Sequence, residues 1–182
     1  MKASSLSRRD FLRATGVSAG GLILGFSWKA QGAATPTGPF RPNAFIAIGP
    51  DTGVTLYIPI PEVGQNTRTA LAMILADELG ADLHAVNLRQ AGPRNDMGWQ
   101  MAGASAGLKR SYENLRNSAA AAREMLIAGV AAHWQVDPSQ CRTDAGSVHG
   151  PGGRSMPFGE AAAFARRLPV PADPPLKPAS DF

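Results

Sequence analysis

Residues 45–58 read Phe45-Ile46-Ala47-Ile48-Gly49-Pro50-Asp51-Thr52-Gly53-Val54-Thr55-Leu56-Tyr57-Ile58, and this stretch sets the fold class. Phe45 to Ile48 is a short apolar run, and Gly49 to Gly53 is a cluster of turn formers. Val54, Leu56 and Ile58 then alternate with Thr55 and Tyr57, the period of a half-buried strand. The reading is a β-hairpin with a five-residue loop. Pro59 and Pro61 lack N–H donors and end the ladder. Asn66 or Thr67 then caps a helix expected over Thr67–Leu79. Leu71, Ile74, Leu75 and Leu79 share one of its faces, and Gly80 is its stop. Val86 and Leu88 alternate with Asn87 and Arg89 in a third strand. The order strand, strand, helix, strand gives an α+β class: a small mixed sheet of short strands, hairpin first, packed against two main helices.

Downstream, residues 91–110 form a long irregular stretch rich in Gly, Ala, Asn and Ser, a length that is often functional. A second helix is expected from about Ser111 or Leu115 to His133 or Trp134, with Leu115, Ala119, Ala122, Leu126 and Val130 at helical spacing. Asp137-Pro138 starts a short helical turn. Ala145-Gly146 joins two very short strands, Gly150 to Gly153 is a loop, and Phe158 to Arg167 is a short helix with Ala161 and Phe164 inward. The end, 168–182, carries five of the 15 prolines and reads as a stiff connector at which the chain stops. The plain reading of that ending is a frayed terminus, and the sharper one is the front portion of something larger.

Upstream, Ser7-Arg8-Arg9-Asp10-Phe11-Leu12 precedes a mild apolar run, Val17 to Phe26, and a small-residue exit, Ala30 to Ala34. These parts describe an export signal, and paired arginines before Phe-Leu specify the twin-arginine route. Residues 1–33 are therefore the expected signal, 34–43 a linker and 44–167 the domain, in a periplasmic protein. No Cys follows the apolar run, which excludes a lipoprotein. No apolar stretch is long enough for a membrane span in the mature form.

The 182 residues suffice for one domain with a real core. The formal charge of +4 lies wholly in residues 1–32, where Lys2, Arg8, Arg9, Arg13 and Lys29 face Asp10. The remaining 13 basic and 13 acidic residues cancel, so no electrostatic footprint for nucleic acid exists. One Cys, Cys141, rules out an intrachain disulfide and a Cys-rich metal site, and it reads as a buried small hydrophobe rather than a perturbed thiol. His84, His133 and His149 lack metal-ligand spacing. No nucleophile elbow, phosphate loop or dinucleotide fingerprint is present. Glu62 is one carboxylate without a catalytic partner.

Two segments stand out. Pro61-Glu62-Val63-Gly64-Gln65-Asn66-Thr67 places a flexible Gly and two amides at a helix start, where free N–H groups and the helix dipole hold an anionic or polar ligand. Gln65 carries both donor and acceptor, suited to a heterocycle edge. The plainer reading is a strand-to-helix turn. In Gly98 to Gly107, small residues allow a ligand to approach the backbone and Ser105 donates a hydrogen bond; the plainer reading is a mobile surface loop.

With these two segments the sequence resembles the N-terminal part of the molybdenum-binding large (beta) subunit of the xanthine dehydrogenase and aldehyde oxidase family, in its isoquinoline 1-oxidoreductase beta subunit branch. The resemblance rests on Asn43 to Ile46, Pro-Glu-x-Gly-Gln, Thr69 to Met73, the Leu115 to Leu126 helix, the Trp134 to Cys141 turn and the closing Pro-Pro-Leu-Lys. It implies a molybdopterin-type cofactor contacted by Gly64, Gln65 and Ser105. It also implies a small [2Fe–2S] partner subunit, a chain supplying the remaining large-subunit domains, and oxidation of aldehydes or N-heterocycles with oxygen from water. The protein supplies orientation and electrostatics to such a cofactor. Two departures are visible: Asn66 stands where the family has the last Gly of Gly-Gln-Gly, and Gly-Gly-Ser-x-Ser reads Gly103-Ala104-Ser105-Ala106-Gly107. The catalytic Glu of the family lies beyond this stretch, so no catalytic or metal-ligating residue is assigned. The expected function is a truncated or split piece of the cofactor pocket, inactive alone. The alternatives are a non-catalytic periplasmic binding or scaffold module using 91–110, and a non-functional remnant.

Overall fold

A computed structural model describes residues 38–181. The expected export signal and the first part of the expected linker lie outside the described residues. The hairpin forms as expected: β1 (Ile46–Ile48) runs antiparallel to β2 (Val54–Ile58), with Ile46 opposite Leu56 and Ile48 opposite Val54. Asp51 closes its loop by accepting from the Gly53 N–H (3.2 Å), while the Gly49 N–H donates to the Gly53 carbonyl (2.8 Å). Phe40 extends the pairing through two backbone bonds to Ile48. Asn43 accepts from the Phe45 and Ile46 N–H groups and donates to the Ser118 carbonyl, tying the start of β1 to the long helix.

Helix α1 (Thr67–Leu79) has the expected bounds, and Leu71, Leu75 and Leu79 are fully buried. Gly80 ends it at φ +78°: its N–H donates to the Asp77 carbonyl and that of Ala81 to the Ala76 carbonyl, a left-handed cap that satisfies the last carbonyls. Strand β3 (Asn87–Gln90) then lies parallel to β2, so the β1-β2-β3 sheet is mixed.

Helix α2 (Gly107–Trp134) begins one to two turns before the expected start. The reason is tertiary: Gly107 lies against Ile60, just past the end of β2, where even a Cβ would make ordinary contact at 3.4 Å, so the extra turn has a surface to rest on. Leu115, Ala119, Ala122, Leu126 and Val130, the positions read from the periodicity, are all fully buried. Asp137 caps the short turn Pro138–Gln140 by accepting from the Ser139 N–H.

The sequence reading held one sheet; the structure adds a second, antiparallel one, β4 (Arg142–Asp144), β5 (Ser147–His149) and β6 (Ser155–Pro157). Its β4–β5 turn is Ala145-Gly146, as expected, with φ +45° and +78°. Strand β6 escaped the reading because three residues ending in Pro carry almost no periodic signal. Helix α3 (Phe158–Ala165) stops two residues short of the expected Arg167. Ala161 is buried, and Phe164 is half-buried and stacks on His133 at 4.3 Å. The Pro-rich end is bound to the domain: the Pro175 and Lys177 carbonyls accept from Arg123 and Arg116. No helix among the described residues is long and apolar enough to cross a membrane.

Candidate functional site

The site is built on the starts of α1 and α2, which meet at Ile60: this residue precedes the Pro61 to Asn66 loop and packs against Gly107. The loop's backbone turns twice through the left-handed region, at Gly64 (φ +97°) and Asn66 (φ +60°). Asn is the side-chain residue that tolerates this conformation best, so Asn66 meets the backbone demand that Gly meets in the family pattern. It holds the N-cap position, yet its side chain makes no cap bond.

Glu62 supplies the cap instead. Its Oε1 accepts from the N–H groups of Gly64 (2.8 Å) and Asn66 (2.9 Å), and its Oε2 from that of Arg68 (3.0 Å). These backbone bonds, that from Arg68 foremost, hold its pKa below the ordinary value. At the helix start the N–H groups of Asn66 and Arg68 are thus engaged by the chain's own carboxylate. Arg68 turns away and donates to the Leu88 carbonyl (2.7 Å).

Gln65 folds back over its own loop. Its Nε2 donates to the Pro61 carbonyl (2.8 Å), and its Oε1 accepts from the Val63 N–H (2.6 Å). A primary amide has two donors and two acceptor sites, so one of each remains, held in fixed orientation on an exposed surface. A Cβ at Gly64 would meet nothing within 4 Å, leaving the backbone beside Gln65 open to close approach. A held amide edge next to a side-chain-free backbone fits a flat, polar heterocycle such as a pterin.

In the second segment the loop before α2 is laced rather than loose. Gln100 donates to the Gly92 carbonyl and accepts from the Arg94 N–H, Trp99 Nε1 donates to the Met101 carbonyl, and Arg110 stacks over Trp99 at 4.2 Å. Buried Met97, in the short helical turn Asn95–Met97, anchors its middle. Ala104 and Ser105 both have positive φ, +52° and +51°. Among the described residues the exposed Ser105 hydroxyl has no hydrogen-bond partner. The sequence reading missed Glu62 as a cap, because a cap four residues before the N-cap residue matches no short-range signature.

Cys141, expected to be buried, is half-buried, and burial raises the pKa of its thiol, the opposite of an activated thiolate. No group of three or more His, Cys, Asp or Glu that could hold a metal occurs among the described residues.

Residues 2–181 match the family model described as molybdopterin cofactor-binding domain. The chain is 31% identical over 191 residues to "Membrane-bound aldehyde dehydrogenase [pyrroloquinoline-quinone]" of Gluconacetobacter polyoxogenes, covering 98% of this chain and 24% of that protein. It is 32% identical over 170 residues to "Isoquinoline 1-oxidoreductase subunit beta" of Brevundimonas diminuta, covering 87% and 22%. Among solved structures, quinoline 2-oxidoreductase from Pseudomonas putida 86 superposes with a TM-score of 0.55 at 28% identity, over 65% of this chain and 15% of that one. The chain thus spans under a quarter of the length of these relatives. Sequence, fold and a cofactor-compatible corner agree: the chain belongs to the molybdopterin cofactor-binding domain family and is homologous to part of the large subunits of molybdenum hydroxylases.

Proposed function

We propose that this chain forms one side of the pterin-cofactor pocket in a large subunit that oxidises aldehydes or hydroxylates N-heterocycles. The observation that carries this reading is the held Gln65 amide beside the open backbone of Gly64, at the positions that match the family's Gly-Gln. Gln65 offers one N–H and one lone pair to the heterocycle edge, Gly64 permits its approach, and the Ser105 hydroxyl donates from the neighbouring helix start. When bound, the molybdenum–pterin group supplies the oxidation itself, with oxygen drawn from water. The residues of this chain bind and orient it.

Catalytic groups and the substrate channel belong to the parts of the large subunit that this segment does not span, so the 182-residue chain does not turn over alone. Exposed Val63, Met101, Leu108 and Tyr112 flank the two helix starts and are the surface those parts cover. A small [2Fe–2S] subunit receives the electrons, and the protein works in the periplasm after twin-arginine export.

The test is co-production of the chain with the rest of the large subunit, with pterin measured by fluorescence after release and molybdenum by mass spectrometry. Gln65→Ala is expected to lower pterin occupancy. Equal occupancy in both proteins refutes the pocket assignment, and oxidation of an aldehyde by the 182-residue chain alone refutes its dependence on the rest. Replacing Arg8 and Arg9 by Lys is expected to retain the protein in the cytoplasm.

A further inference from the structure

The α1 N-terminus is a ready seat for an anion, and the chain fills it itself. The first turn of α1 contains no acidic residue, and the N-cap Asn66 makes no side-chain cap bond. The Glu62 carboxylate takes three backbone N–H groups at alternate positions, from Gly64, Asn66 and Arg68. Those bonds span the two left-handed residues, Gly64 and Asn66, between which Gln65 sits. The Gln65 amide in turn bonds to the residues on either side of Glu62, Pro61 and Val63. Carboxylate and amide therefore lace one loop from opposite ends.

We propose that Glu62 is a positioning residue for the cofactor: by occupying the α1 anion seat it holds the Gly64–Gln65 turn ready, so that the cofactor meets this turn through the Gln65 amide edge rather than through a phosphate on the helix terminus. This rests on the reading of Gln65 given above. A carboxylate tethered in the same loop has a high local concentration at these N–H groups and excludes a free anion from them. Charge and acceptor oxygens together fill the seat, so losing the charge alone opens it in part and losing the whole carboxylate opens it fully.

The test uses Glu62→Ala and its shape-conserving partner Glu62→Gln, followed by backbone and side-chain amide NMR during titration with sodium formate, with sodium chloride as the ionic-strength control. In the wild-type chain formate is expected to leave the Gly64, Asn66 and Arg68 amides unmoved. In Glu62→Ala those three amides shift and exchange faster. Formate then saturates them and returns the Gln65 side-chain resonances toward wild-type positions. Glu62→Gln, which keeps an acceptor oxygen but no charge, gives the intermediate response and serves if the alanine variant does not fold. Variant amides that match wild type, or that ignore formate while responding to chloride alone, overturn the proposal.

Pterin occupancy in the assembled large subunit separates this idea from the one beneath it. A fall of about threefold or more in Glu62→Ala, reversed by formate, supports positioning. Occupancy lost in Gln65→Ala but unchanged in Glu62→Ala overturns positioning and leaves the Gln65 reading standing. Occupancy unchanged in both overturns both.

Discussion

Replacing Glu78 by alanine removes the hub that holds the Pro-rich end against the two helices. Glu78 is fully buried, and its carboxylate accepts from Arg116 Nε (2.9 Å), from a second Arg116 nitrogen (2.8 Å), from Arg123 and from the Lys177 N–H (2.9 Å). The two Arg side chains are only 13% and 8% exposed. Breaking a buried ion pair costs about 3–5 kcal/mol, because the partner charges stay behind without compensation. Arg123 retains Glu124 and the Glu78 and Pro175 carbonyls, and Arg116 retains Tyr112 and the Lys177 carbonyl. These remaining partners place the expected loss near 3 kcal/mol. For a folded unit of this size that is a fall in Tm of roughly 10 °C, read by circular dichroism. Hydrogen exchange of the Lys177 amide, bonded to Glu78 in the native chain, is expected to accelerate in parallel. The triple change Glu78→Leu, Arg116→Met, Arg123→Met is expected to recover most of the loss, because no charge is left stranded. A loss below about 1 kcal/mol with the Lys177 amide still protected would refute the reasoning.

Leu126→Ala empties a fully buried position on α2 and is expected to cost about 2–5 kcal/mol in urea unfolding, with a near-zero effect contradicting the packing of that face. Ala104→Gly relieves a left-handed alanine (φ +52°) and is expected to stabilise by about 0.5–1 kcal/mol, read as a rise in Tm. The depressed pKa of Glu62 makes stability pH-dependent in one direction: its contribution is complete above the ordinary carboxylate value of 4.5 and is lost as pH falls through the lower folded value. Acid titration of the wild-type chain against Glu62→Gln is therefore expected to show a gap that is constant near neutrality and narrows only in acid.

The parts legible in the sequence were those with a strong local cause. Alternation named β2, and Leu71, Leu75 and Leu79 with Gly80 bounded α1 to the residue. Ala145-Gly146 named the β4–β5 turn. The start of α2 was read late because nothing in Gly107 to Arg110 marks a helix until Ile60 provides the surface it rests on. Of the candidate site, Gly64, Gln65 and Ser105 came from the family pattern. Asn66 departs from the family's Gly, and its left-handed backbone (φ +60°) shows why the chain accepts it.

By itself the sequence determined the α+β class, the membership in a molybdenum-linked family, the neutral charge of the chain after residue 32 and the residues to be suspected of touching a pterin. These follow from periodicity, turn chemistry and motif order, which are properties of neighbours along the chain. Only the tertiary structure decided that Glu62 caps α1, that the Gln65 amide is spent by half and free by half, and that Glu78 binds the distant Lys177 in the Pro-rich end. Hydrogen bonds and buried ion pairs depend on distances between groups as much as 128 residues apart, and no linear pattern encodes those distances.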